Sequence, residues 1–115
     1  METDKTYINR IYPVIRYAVN RHTGKGWKIE TRTIQDHEIV LIDKGRGCVT
    51  IEGVKYAAVP GRLFHFFPDL RHSLETDDSD PFNFLAVHFS FVFVENTNGF
   101  WNTASDITGF PLPPV

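Results

Sequence analysis

The chain has 115 residues and a mass of 13.2 kDa, room for one domain, and its twelve Lys and Arg against fourteen Asp and Glu give a net charge of −2. With 42% hydrophobic and 23% charged residues it is neither disordered nor membrane-like, and the balance argues against a basic nucleic-acid module. No run approaches the roughly 18 apolar residues that span a bilayer, and METDKTYINR lacks the layout of a secretory signal, so a cytoplasmic location is the expectation. Cys48 is alone, which excludes an internal disulfide and a zinc ribbon. The core must come from apolar side chains, and ten Phe, four Tyr and two Trp can supply it.

In chain order the runs IYPVIRYAV, WKIETRT, HEIVLID, CVTIE, VKYAAV, RLFHFF and FNFLAVHFSFVFV read as strands. Gly and Pro punctuate them at Gly24, Gly26, Gly45, Gly47, Gly53, Pro60, Gly61, Pro68 and Pro81. Glu52-Gly53 reads as a two-residue hairpin turn. Short strands at this spacing predict an all-β sandwich or barrel, with FWNTASDI as the only candidate helical turn.

The last strand alternates between two faces. Leu85, Val87, Phe89, Phe91 and Phe93 form a purely apolar one, expected to be the wall between two layers. Phe84, Ala86, His88 and Ser90 form a mixed one, suited to lining a cavity because small residues leave volume and the imidazole offers a polar handle. Eleven of the twelve cationic residues lie at or before Arg62 and the last is Arg71, so a DNA-reading helix beyond His72 is not expected. The acidic loop ETDDSDP lacks the Gly and Glu of a calcium loop and reads as a solvated turn. The loops around Gly24 and Gly45 lack the rest of a phosphate-binding pattern, and nothing beside Ser73, Ser90 or Cys48 resembles an activated nucleophile.

The block from His37 to Phe89 carries an ordered series. It runs from the GRG turn at Gly45–Gly47 through a strand, the Gly53 hairpin, Tyr56, the Pro60-Gly61 turn, an apolar strand and a Pro-containing turn to His72. An acidic loop closed by Pro81 then leads to His88-Phe89. Over roughly residues 27 to 90 this series resembles the cupin-type effector domain at the N-terminus of AraC/XylS-family transcription regulators. The resemblance implies a jelly-roll barrel with little or no helix. It divides the chain into a strand or arm over residues 1–26, the barrel over 27–95, and a tail or linker over 96–115.

The positions that hold a metal in many cupins are matched by Glu38 and His72, but the stretch where a His-x-His pair would stand, Thr31 to Ile34, reads TRTI. Two ligands do not make an open metal site, so neither metal nor cofactor is expected. His37 should face away from Glu38, and His65 should be packed among aromatics.

The resemblance implies a ligand-sensing, dimerising and non-enzymatic domain whose DNA-binding half lies beyond residue 115. The expected partners are a small polar molecule, with carbohydrate the leading candidate, and a second copy of the chain, but no membrane. The expected ligand-binding residues are Arg32, His72, Phe84 and His88, with Glu38 and Trp27 behind them. The competing readings are a free-standing cupin enzyme, either an isomerase or a metal oxygenase, and a structural dimerisation barrel filled by its own Phe residues.

Overall fold

The computed structural model describes residues 11–97 and 100–107. The strands are β1 (Ile11–His22), β2 (Lys28–Arg32), β3 (His37–Lys44), β4 (Gly47–Ile51), β5 (Val54–Ala58), β6 (Leu63–Phe66), β7 (His72–Thr76), β8 (Asn83–Thr97) and β9 (Phe100–Ile107). No helix occurs among the described residues. One sheet has the order β1-β8-β3-β6, with β9 also on β8, and the other has the order β2-β7-β4-β5. Every strand pair in both sheets is antiparallel. The all-β, jelly-roll expectation therefore holds.

The turns do what their residues require. Glu52 and Gly53 both have positive φ (48° and 80°) between the paired Ile51 and Val54, the backbone of a type I′ hairpin. Arg71 holds Glu52 in that conformation, its backbone N–H and its guanidinium donating to the two carboxylate oxygens. Pro68-Asp69 forms a turn closed by the Leu70 N–H on the Phe67 carbonyl, with Asp69 at φ 67°. In the acidic loop, Asp77 accepts from Ser79, and Asp78 accepts from the Gly26 N–H at 2.6 Å. It is a hydrogen-bonded turn.

The core lies between the sheets. Val40, Ile42, Phe64, Phe66, Phe84 and Ala86 come from one sheet, Val49, Ile51, Ala58 and Leu74 from the other, and Phe82 closes the end. Here the structure corrects the assignment of the β8 faces. Ile42 pairs with Phe84, Val40 with Ala86 and Glu38 with His88, so the mixed face of β8 points between the sheets. The apolar face points away from the second sheet, and Leu85 on it is 42% exposed. A narrow barrel interior takes a mixture of large and small side chains, so residue size does not reveal which face is inside.

A second cluster covers part of that outer face. His37 and His65 are buried there, with His37 Nδ1 and His65 Nε2 3.0 Å apart. Phe89 stacks on His37 at 5.3 Å, and Phe67 meets His65 edge-on at 4.5 Å. The expected placement of both histidines is observed.

FWNTASDI is also corrected. It forms β9 rather than a helical turn, with register from Phe91↔Ile107 to Thr97↔Phe100. The reason is that β8 outruns β3, whose pairing stops at Phe89, and the open backbone edge beyond it is taken by β9. Of the expected tail over 96–115, residues 98–99 and 108–115 lie outside the described residues, as do residues 1–10.

Two stability predictions follow from this packing. Burial, with the adjacent His37, lowers the His65 pKa from 6.5 to about 4. Between these values the unfolded chain binds a proton that the folded one excludes, so stability falls as pH drops from 6.5 toward 4, by on the order of 3 kcal/mol from this group. Urea titrations across that range should show a shallower pH slope for His65→Leu than for the wild type; equal slopes would contradict the assignment. Separately, Gly45 has φ 76° and lies so close to the Pro81 carbonyl that a Cβ would collide with it, whereas a Cβ at Gly24 meets nothing within 4 Å. Gly45→Ala should cost ~2 kcal/mol or more and Gly24→Ala under ~0.5 kcal/mol in denaturant melts.

Candidate functional site at the barrel mouth

Strand register assembles the site. Across the first sheet one row reads Tyr17, His88, Glu38 and Phe66, each paired with the next. In the second sheet Arg32 pairs with His72, after an irregularity in β2 between Ile29 and Arg32. The rows meet where Phe66 stacks on His72 at 4.0 Å and 7°. Tyr17 stacks on His88 at 4.4 Å at the opposite end of the first row.

A continuous polar chain links these residues. His72 Nδ1 lies 2.9 Å from the Leu70 carbonyl, and Arg32 Nε donates to His72 Nε2 at 3.2 Å. A guanidinium only donates, so Nε2 carries the lone pair and Nδ1 carries the hydrogen that meets Leu70. Arg32 Nη2 donates to Glu38 Oε1 at 3.2 Å. The other Glu38 oxygen lies 3.0 Å from His88 Nε2, and His88 Nδ1 lies 3.2 Å from both oxygens of Asp36. A neutral imidazole has one N–H, so two carboxylates facing both ring nitrogens need a second proton, on the ring or on a carboxyl. Glu38 suits that sharing. Burial raises its pKa, while His88 and Arg32 pull it back. The His72 pKa is lowered chiefly by burial, against the opposing pull of the Leu70 carbonyl, a direction that agrees with the acceptor role of Nε2.

Beside this chain is a cavity of about 70 Å³ lined by Tyr17, Val19, Arg21, Trp27, Ile29, Arg32, Glu38, Phe84 and His88. Of the residues singled out in the sequence, Trp27, Arg32, Glu38, Phe84 and His88 therefore meet at one cavity. His72 stands behind Arg32, and it borders a separate surface cleft with Thr31, Thr50, Glu52, Gly53 and Arg71. Ala86 was expected to leave space in the pocket, but it is core, 1% exposed, paired with Val40 on one side and Val19 on the other. Tyr17, Arg21 and Asp36 went unnoticed in the sequence. Tyr17 and Arg21 share the alternating inward face of β1, a signal that becomes readable only once β1 is known to pair with β8.

The site does not fit a metal ion. The His72 Nε2 lone pair is directed at Arg32, and both Glu38 oxygens are engaged by Arg32 and His88. Among the described residues no group of three potential ligands converges. A side-chain cation stands where an ion would need to be.

The two-sheet architecture is that of the cupin barrels. Similar solved structures include a cupin protein from Bacteroides fragilis (TM-score 0.56, 25% identity, covering 62% of this chain and 62% of that one). KdgF from a Halomonas species is similar as well (0.56, 18%, 70% and 79%). So is a cupin superfamily protein from Desulfitobacterium hafniense (0.56, 14%, 76% and 82%). The aligned part thus spans less than two thirds of the Bacteroides fragilis protein. No curated protein matches the sequence. The model of the AraC-like ligand binding domain matches residues 13–112, and the chain belongs to that family.

Arg32 offsets part of the burial penalty on Glu38, so Arg32→Ala should push the Glu38 pKa higher still. A carbon-detected NMR titration of the side-chain carboxyl should show this. An unchanged or lower midpoint would contradict the Arg32–Glu38 contact.

Proposed function

We propose that this chain is the ligand-sensing, non-enzymatic domain of a cytoplasmic bacterial transcription regulator. A small polar molecule, sugar-like in its hydroxyl pattern, is recognised at the barrel mouth. The observation that carries this reading is the cavity where aromatic faces (Trp27, Tyr17, Phe84) meet hydrogen-bonding groups (Arg32, Glu38, His88). Aromatic rings stack on sugar C–H surfaces while guanidinium, carboxylate and imidazole bond hydroxyls. Family membership supports a sensing role. In such a regulator, binding shifts an equilibrium between two arrangements of the whole protein, and contact with DNA belongs to a region outside this acidic domain.

Homodimerisation is part of the reading and rests on the family. A second reading, a barrel filled by its own side chains, is favoured by the small cavity and by the fully buried Phe64, Phe66 and Phe82.

A thermal-shift screen of mono- and disaccharides and sugar acids separates the two. A ligand at about 100 times its Kd stabilises by ~2.7 kcal/mol, which raises the Tm of a domain this size by on the order of 10 °C. Val19→Trp, which fills the cavity, should abolish the shift. If no compound acts, or if the blocked variant responds equally, the self-filled barrel is the better account.

A further inference from the structure

The cavity holds more positive charge than its own residues neutralise. Arg32 and Arg21 both line it. Asp36, His88 and Glu38, with the proton that their contacts require, carry one net negative charge, and Arg32 answers it through Glu38. Arg21 has no ion-pair partner among the described residues, and it stands on β1 opposite Phe84, facing the same cavity. Arg32 is held through Nε and Nη2, which leaves the Nη1 donors without a described partner. Two guanidiniums thus present unused donors to one small space.

Size narrows the choice. A volume of about 70 Å³ is worth about two water molecules, the bulk of a carboxylate group. Whole drug-sized ligands need roughly 300 Å³ or more. The cavity, which Trp27 and Tyr17 also line, therefore takes an anionic head, with the rest of the ligand extending out of it. Planar oxyanions match guanidinium donors in both geometry and charge.

We infer that the ligand is an organic acid whose carboxylate enters this cavity and pairs with Arg21 and the free edge of Arg32. The inference rests on the sensing reading and sharpens it: hydroxyls set the fit, and the carboxylate is the anchor. No bond is made or broken.

Matched pairs of acid and neutral analogue test it: D-galacturonate with D-galactose, D-glucuronate with D-glucose, benzoate with benzyl alcohol. Each is assayed at constant ionic strength by thermal shift and then by calorimetry. At least one acid should bind about tenfold or more tighter than its neutral partner, as charge-assisted hydrogen bonds imply. Arg21→Gln, a change at an exposed residue outside the polar chain, should weaken that acid by about tenfold and so narrow its advantage over the neutral analogue. If members of the pairs bind but no acid outbinds its neutral partner by about tenfold, the inference is overturned and the sensing reading stands. The same holds if the acid's affinity is indifferent to Arg21→Gln. If no member of any pair binds, the sensing reading itself is contradicted and the inference falls with it.

Discussion

A guanidinium clamped between a buried carboxylate and a neutral imidazole is the contact on which the barrel mouth depends. Arg32 reaches from the second sheet to Glu38 on the first, while its Nε fixes His72 on its own sheet. Glu38 is 5% exposed and His72 1%. A carboxylate so buried is costly unless it is paired, and breaking a buried pair typically costs 3–5 kcal/mol. The Arg32 side chain keeps about a third of its surface, so the loss here belongs at or below the lower end of that range. What the pair secures is geometry: the two sheets are held at one spacing where the apolar core runs out.

In the proposed reading, the same contact links structure to sensing. Glu38 is shared between Arg32 and His88, and His88 is shared between Glu38 and Asp36. In that reading, a ligand group on the free Nη1 edge of Arg32 shares the guanidinium that holds Glu38 and so perturbs the proton held along the chain. Tyr17 lies on His88, which brings β1 into the same set of contacts. Binding at the cavity therefore has a direct route to the first strand, through packed and hydrogen-bonded side chains.

Much of this architecture is legible in the sequence, for local reasons. Glu52-Gly53, Pro60-Gly61 and Pro68-Asp69 mark turns through their own backbone chemistry, and alternation separates His37 from Glu38. The illegible parts depend on distant pairing. Alternation splits β8 into two faces, but only its register with β3 reveals that Phe84, Ala86 and His88 look inward. β1 carries an irregularity between Ile15 and Tyr17, so the positions of Tyr17 and Arg21 cannot be counted from its start. Asp36 lies in the link before β3, and nothing local marks it as a partner of His88. β9 is a strand because β8 offers it an open edge, a fact absent from FWNTASDI itself.

The account turns most directly on the hydrogen bond from Arg32 Nε to His72 Nε2, and long-range proton–nitrogen NMR of the imidazole reads it. His72 should appear as the neutral Nδ1–H tautomer and hold that form from pH 8 down past the ordinary histidine pKa of about 6.5. In Arg32→Ala that tautomer should no longer be enforced. An Nε2–H tautomer in the wild type, or a ring that becomes charged at its ordinary pKa, would contradict the arrangement from which the site has been built.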